Sequence, residues 1–159
     1  MINYIEKGIG LHDALQAAGI KLVERDGVWI SSDDVGAQAI IDSFDPVPYE
    51  QEMAKARLVI QFDEATKALQ DSFPEAVKLT FTKQEFQARE YQSSGIAGST
   101  LQTLADKRGL TLTEMSNKII DKADTYQGFI DNLNGDMQKL EDDIESSVDW
   151  KEIQGINLI

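Results

Sequence analysis

An apolar stripe runs through the last third of the chain, between Thr113 and Val148. Its members follow one another at intervals of three or four positions: Met115, Ile119, Ala123, Tyr126, Ile130, Leu133, Met137, Leu140, Ile144 and Val148. This spacing is typical of one face of an amphipathic α-helix. Most of the charged residues between the stripe positions are aspartate or glutamate. An acidic helix must bury its single apolar face, so the fold depends on what this helix packs against.

Two glycines, Gly128 and Gly135, lie within this predicted helix. Each glycine inside a helix costs about 1 kcal/mol relative to alanine. An unbroken helix over 113–148 would be about 54 Å long at about 1.5 Å per residue, which exceeds a compact domain of this size. Three alternatives follow. The helix bends at Gly128–Gly135, a partner backbone approaches closely there, or the helix projects as a coiled coil.

Residues 1–46 predict a small α/β unit with the order helix, hairpin, helix. Runs rich in β-forming residues flank Asp26-Gly27, and this dipeptide is a strong signal for a two-residue hairpin turn. The hairpin is therefore expected over 20–31, with Trp29 as its core anchor. Asp33 and its neighbours offer an N-cap for the second helix.

Residues 47–74 predict a long linking helix, with a regular start at Tyr49 after the two prolines. Residues 75–82 form a connector with no clear helix or strand pattern, for which an extended conformation is one alternative. Residues 75–159 as a whole form a helical C-terminal module. Three capping boxes mark helix starts in this module: Thr82–Glu85, Ser99–Gln102 and Thr111–Glu114. Thr113 is an alternative cap for the last of these helices. The predicted fold class is mainly α (α+β), with a possible coiled coil in the last module.

The overall charge restricts the partners of the chain. It carries 28 acidic and 15 basic residues, a net charge of −13. Such a field repels phosphate backbones and anionic membranes, so neither nucleic acid nor a membrane is expected as a partner. No apolar run approaches the roughly 18–20 residues of a membrane span, and the start lacks the pattern of a secretory signal. The absence of cysteine excludes disulfides, thiolate metal sites and a cysteine nucleophile.

Residue types that carry chemistry occur without the spacing that chemistry requires. His12 is the sole histidine, and no G-x-S-x-G motif accompanies it. The loop Gly95–Thr100 lacks the lysine of a phosphate-binding loop. In Asp131–Asp136 the glycine falls at the wrong position for a calcium loop. Adjacent acids such as Asp142–Asp143 point apart on a helix. We therefore predict no catalytic, cofactor-binding or metal-binding residues and no cofactor.

Several segments together form a recognisable pattern. They are Gly27–Ile30, Asp34–Pro46, Glu85–Tyr91, Ser99–Gly109, Met115–Ala123, Tyr126, Gly135 and Gln138. This pattern resembles small tailed-bacteriophage tail proteins, a group often described as tail-fibre assembly or tail-associated proteins. The chain departs from the family pattern at Ala88–Glu90, where the family has Glu-Ala, and it runs past the helical module into 150–159.

The resemblance implies a non-enzymatic bacteriophage tail protein. We predict a tail-fibre assembly chaperone that binds a phage tail or tail-fibre protein through apolar helix faces. It would act in the host cytoplasm during phage assembly or be retained in the virion tail. The alternatives are a virion structural subunit of the tail or baseplate and, least favoured, a glycan-cleaving enzyme.

A homo-oligomer is expected as well, because the chain has two long apolar stripes, a first over Leu58–Phe73 and a second over Met115–Val148. One chain of this size is not expected to bury both by itself. The predicted partner-binding residues follow the second stripe into the next segment: Tyr126, Ile130, Leu133, Met137, Leu140, Ile144 and Trp150. The apolar end at 156–159 either docks onto a partner or packs against its own domain.

Overall fold

The computed structural model describes residues 7–26 and 28–158, and within them the protein is mainly helical with one small sheet. In chain order the elements are α1 (Ile9–Ala17), β1 (Leu22–Arg25), β2 (Val28–Ser31), α2 (Asp34–Ser43), α3 (Pro46–Asp71), α4 (Glu75–Lys78), α5 (Phe81–Ser94), α6 (Ser99–Arg108), α7 (Leu112–Ser146) and α8 (Trp150–Gly155). The predicted mainly α (α+β) class is confirmed. Residues 1–6, Gly27 of the predicted Asp26-Gly27 turn, and Ile159 lie outside the described residues.

The described residues form two compact units. One contains the residues up to Val59 together with those from Lys139 onward, and the other contains residues 60–138. These boundaries cut through the two long helices and differ from the division at 46–47 and 74–75 suggested by the sequence. The first unit joins residues as far apart as Lys55 and Glu145. Such a grouping depends on tertiary contacts and cannot be inferred from local patterns.

A small hydrophobic core holds the amino-terminal part of the first unit together. Its buried members come from α1, α2 and the residue before the hairpin: Leu11, Leu15, Ile20, Ala37 and Ile41. Asp33 caps α2 as predicted, because its Oδ1 accepts a hydrogen bond from the backbone N–H of Gly36 at 3.0 Å.

Strands β1 and β2 form the predicted antiparallel hairpin. Leu22 pairs with Ser31 at its base and Arg25 pairs with Val28 near its tip. Asp26 has a φ of +54°, the left-handed conformation that such a tight turn requires. The prediction that Trp29 anchors a core was wrong, since its side chain is 39% exposed. Leu22, at the base, is the hairpin residue that packs against the core.

Helix α3 begins at Pro46, which is earlier than the predicted start at Tyr49. Proline is tolerated in the first turn because its missing N–H would have no partner there. The linking helix is therefore confirmed in kind, with its bounds shifted from 47–74 to Pro46–Asp71. The connector over 75–82, which the sequence left ambiguous, is not extended: it contains the one-turn helix α4, in which Lys78 pairs with Glu75 at 2.6 Å.

Helices α5, α6 and the start of α7 enclose the core of the second unit. Its buried members are Ala88, Leu101, Ala105, Met115, Ile119 and Ile120. Ser116 is fully buried beside them, and its hydroxyl donates to the backbone carbonyl of Ala88 at 3.0 Å. This hydrogen bond satisfies a polar group that would otherwise be costly to bury.

The capping box at Thr111 and Glu114 is confirmed. The backbone N–H of Thr111 donates to Glu114 Oε2 at 2.8 Å, and the N–H of Glu114 donates to Thr111 Oγ1 at 3.2 Å. Thr111 accordingly precedes the first residue of α7.

The capping boxes predicted at Thr82 and Ser99 were wrong, because both residues lie inside α5 and α6. A side chain from the neighbouring helix caps the amino-terminal end of α6 instead. Gln87 of α5 accepts a hydrogen bond at Oε1 from the backbone N–H of Leu101, in the first turn of α6, at 3.0 Å. Gly98 permits this approach, since a Cβ there would collide with the Gln87 amide.

Helix α7 runs without interruption from Leu112 to Ser146, over 35 residues, a length of about 52 Å. Gly128 and Gly135 do not break it, and the space that a Cβ would occupy at each is open. No backbone among the described residues approaches either glycine. The predicted end at Val148 lies beyond the helix, where the side chain is 89% exposed. The coiled coil stays a prediction.

Candidate functional site

The predicted partner-binding residues lie along one face of α7 and at the start of α8. Five of them are half-buried in the chain itself: Tyr126, Ile130, Leu133, Met137 and Leu140. Phe129 lies at the edge of this stripe and is exposed. The sequence analysis missed Phe129 because it considered the centre of the stripe and not its margin. This part of α7 keeps a partly accessible apolar face.

The two remaining predicted residues have packing roles in the first unit. Ile144 is fully buried, so its side chain is not at the surface of this chain. Trp150 is half-buried, and a Cβ on Gly8 would lie only 3.3 Å from its ring. The Nζ of Lys151 lies 5.4 Å from the same ring centroid, within cation–π range.

Side chains of α3 hold the carboxyl end of α7. Gln51 Nε2 donates to the backbone carbonyls of Ile144 at 3.0 Å and Glu145 at 3.3 Å. These last-turn carbonyls have no partner within their own helix. Lys55 Nζ lies 2.6 Å from the carboxylate of Glu145, and this hydrogen bond lowers the pKa of Glu145.

The same helix also holds α8. Arg57 Nη2 donates to three backbone carbonyls at the end of α8, those of Ile153 (3.2 Å), Gln154 (3.2 Å) and Ile156 (2.9 Å). A cation at this position also complements the helix dipole. Gln154 Nε2 donates to the buried carboxylate of Glu50 at 2.9 Å. Residues 153–156 therefore pack against their own unit. Ile156, the first residue of the apolar end 156–159, is thus held by this chain itself.

An exposed ion-pair group joins α5 to α7 in the second unit. Arg89 Nε donates to Glu85 at 2.9 Å, and its Nη2 donates to Asp124. The hydrogen bond with Asp124, followed by that with Glu85, raises the pKa of Arg89. Because these groups face solvent, such pairs contribute only about 0–1 kcal/mol each.

The sole histidine lies in a small polar group on the surface of the first unit. His12 Nδ1 is 3.8 Å from Asp13 Oδ1, and the Tyr49 hydroxyl donates to the other oxygen of Asp13 at 2.7 Å. This hydrogen bond raises the pKa of Tyr49. The group holds a tyrosine of one helix against another, and it contains no serine, threonine or cysteine nucleophile.

The two segments that superficially resemble ligand-binding loops, Gly95–Thr100 and Asp131–Asp136, have structural roles at a helix end and within a helix. Gly95 has a φ of +73°, and its N–H donates to the carbonyl of Tyr91 to close α5. Asp131–Asp136 lies inside α7 and forms no loop. Within 7–26 and 28–158, no cluster of three or more histidine, aspartate or glutamate residues is arranged to hold a metal ion. No helix in these ranges is long and apolar enough to span a membrane.

The hairpin is an apolar surface that the sequence analysis did not single out. Four large apolar side chains within eight residues are exposed: Val23 (59%), Val28 (39%), Trp29 (39%) and Ile30 (47%). A run such as Val28–Ile30 is typical of a strand buried on both faces. The structure provides a core contact for Leu22 at the base and leaves these four side chains in solvent.

No protein-family model, curated protein or solved structure matches this chain. The resemblance to phage tail proteins therefore depends on the sequence segments named above.

Proposed function

We propose that this chain is a non-enzymatic bacteriophage tail protein that binds a tail or tail-fibre protein and acts as a tail-fibre assembly chaperone. One observation supports the binding role. Among the described residues, fifteen large apolar side chains are exposed. Isolated exposed apolar residues are ordinary on a protein surface. Those that lie close together, as Val23, Val28 and Ile30 do on the hairpin, favour a partner that removes their area from water.

The charge of the chain narrows the class of partner to protein. A net charge of −13 disfavours association with phosphate backbones or anionic lipid. Apolar side chains in an acidic setting instead suit a protein surface that contributes apolar contacts and basic or neutral residues at its rim.

The half-buried face of α7 is the proposed binding surface on the helical part of the chain. Tyr126, Phe129 and Ile130 provide aromatic and aliphatic area there, and aromatic residues often contribute most of the binding energy at interfaces. A helix face of this kind binds by laying its apolar residues into a groove of the partner. Phe129 is the member best exposed for such a contact, because more of its side chain is in solvent.

Co-expression tests the chaperone role. This chain is produced together with the tail-fibre protein of the same phage, and we expect the fibre protein to become soluble and to co-purify with it. Phe129→Asp should weaken co-purification by about tenfold, since losing an exposed aromatic contact at the edge of the stripe costs about 1–2 kcal/mol. Asn132→Asp is the matched control, because it adds the same carboxylate at another exposed position of α7 and should leave co-purification unchanged.

The outcomes separate the alternatives. A fibre protein that stays insoluble with and without this chain would contradict the chaperone role. Detection of the chain in purified particles at a fixed stoichiometry would identify a virion subunit instead. Light scattering tests the proposed homo-oligomer, and a particle of 17.7 kDa, the mass of one chain, would rule out self-association at the concentration measured.

A further inference from the structure

We infer that the β-hairpin binds an extended segment of a partner protein as a third strand, and that this segment carries apolar residues and a carboxylate. The inference deepens the proposed function, on which it rests, by naming the surface and the chemistry of the segment that it takes. It concerns the hairpin of β1 and β2 in the first unit, a surface separate from the α7 face.

The strand register determines which side chains share a face. Val23 pairs with Ile30, and Arg25 pairs with Val28. Because side chains alternate along a strand, these four residues lie on one face of the hairpin. Leu22 lies on the opposite face and packs against the core of the unit. The face with Val23, Arg25, Val28 and Ile30 is therefore the outer one.

The outer face is apolar and β-branched. Val23, Val28 and Ile30 are exposed to 59%, 39% and 47%. Branched side chains pack well against the side chains of a neighbouring strand. A two-stranded hairpin is marginally stable in water by itself, and it gains stability from packing against helices, as Leu22 does here, or from a third strand with an apolar face. The side chains of an added strand would pack beside those of the edge strand on this face.

The edges of the hairpin have backbone groups that bond to no other described residue and could receive that strand. The N–H of Ser32 donates to the carbonyl of Lys21 at 2.9 Å, so this is a hydrogen-bonded pair. Pairs alternate in an antiparallel ladder, and the backbone groups of Leu22 and Glu24 therefore point away from β2. Those of Trp29 point away from β1 in the same way. None of these three residues has a backbone hydrogen bond outside the hairpin to another described residue.

Charge specifies the segment further. Arg25 is the charged residue of the outer face, and it makes no ion pair with any other described residue. A carboxylate on the added strand would complement it. A second copy of this chain is the alternative occupant; a light-scattering mass above 17.7 kDa that Val23→Thr returns to 17.7 kDa would identify it and overturn the inference. The carboxylate that complements Arg25 thus defines the segment of the partner protein.

A short synthetic peptide tests the surface directly. The probe is a fluorescein-labelled peptide of alternating valine and threonine with one central glutamate, and its anisotropy is measured against the whole chain. We expect saturable binding. The same peptide with all backbone amides N-methylated should not bind, because it cannot extend the ladder. A lysine in place of the glutamate should weaken binding by about fivefold, and Arg25→Glu should reverse this preference.

A matched pair of variants locates the binding face. Val23→Thr removes apolar area and keeps β propensity, so the hairpin is preserved. It should weaken peptide binding by about fivefold. Val35→Thr makes the same change at an 83%-exposed valine of α2 in the same unit and should have no effect. Absence of binding up to about 1 mM, equal binding of the methylated peptide, or equal effects of the two variants would each overturn the inference.

Co-purification with the fibre protein distinguishes a failure of this inference from a failure of the proposed function. If the fibre protein binds the wild type and Val23→Thr/Arg25→Glu equally well, the function stands and the hairpin is not the docking surface. If the peptide binds as expected but the fibre protein does not bind the chain, the surface stands and the proposed function fails.

Discussion

The contact between Arg57 and the end of α8 gives a quantitative prediction. Arg57→Met keeps the aliphatic stem and removes the guanidinium that donates to the carbonyls of Ile153, Gln154 and Ile156. Hydrogen bonds from a charged donor contribute about 1.5–3 kcal/mol each. Nη2 has two hydrogens, so two such bonds are the most it can make at full strength.

One free-energy cost in the wild type opposes the stabilisation by these hydrogen bonds. Arg57 Nε is buried without a partner among the described residues, and an unsatisfied buried donor costs about 1–3 kcal/mol. Methionine removes that cost together with the hydrogen bonds. The net loss is therefore about 2 kcal/mol, which raises the equilibrium constant for local opening of α8 by about 30-fold.

Amide hydrogen exchange measures this opening. The N–H of Ile153 donates to the carbonyl of Asp149 at 3.1 Å and is protected only while α8 is formed. Its exchange should accelerate about 30-fold in Arg57→Met. Lys55→Met is the control, since it makes the same replacement on α3 at an exposed ion pair worth about 0–1 kcal/mol. Unchanged exchange at Ile153 in Arg57→Met, or an equal effect of both variants, would refute the reasoning.

Three further predictions concern α7. Ser116→Ala should lower the free energy of unfolding by about 0.5–1.5 kcal/mol in urea denaturation, because it removes the buried hydrogen bond to the Ala88 carbonyl, which keeps its partner within α5; no loss would show that the hydrogen bond contributes nothing net. Gly128→Ala and Gly135→Ala should each raise it by about 0.5–1 kcal/mol, since both positions are open; a decrease would reveal strain or a close neighbour. The N–H of Thr111 lowers the pKa of Glu114 below its usual 4.5, so this stabilisation is present above pH 4.5 and is lost as the pH falls through the lowered value. The stability difference between wild type and Glu114→Gln should shrink over that range, and a constant difference would contradict the pKa assignment.

Features that depend on neighbours within about four positions could be predicted from the sequence. The stripe spacing predicted α7, and the Asp26-Gly27 pair predicted the hairpin. The caps at Asp33 and Thr111 were also correct, because each joins a side chain to a backbone group three residues away. The helix ends were less accurate, as the start of α3 shows, because several residues near an end can form the first turn.

The candidate site shows where sequence reasoning stopped. Periodicity identified the apolar face of α7, but it could not separate Ile144, which is fully buried, from Met137, which is half-buried. Both occupy equivalent positions on the helix. Their difference in exposure depends on which other elements pack nearby. Trp29 was expected in a core and lies at the surface, because its exposure too depends on which other elements pack nearby.

The sequence by itself determined the helical character of this protein, the hairpin and the long acidic helix, because hydrogen bonds and side-chain periodicity over a few residues are enough to specify each. Only the tertiary structure decided how the helix ends are satisfied and which apolar residues remain in solvent. Gln87 caps α6 from 14 positions away, and Arg57 reaches Ile153 across 96. Contacts over such separations follow from packing, which local patterns do not encode.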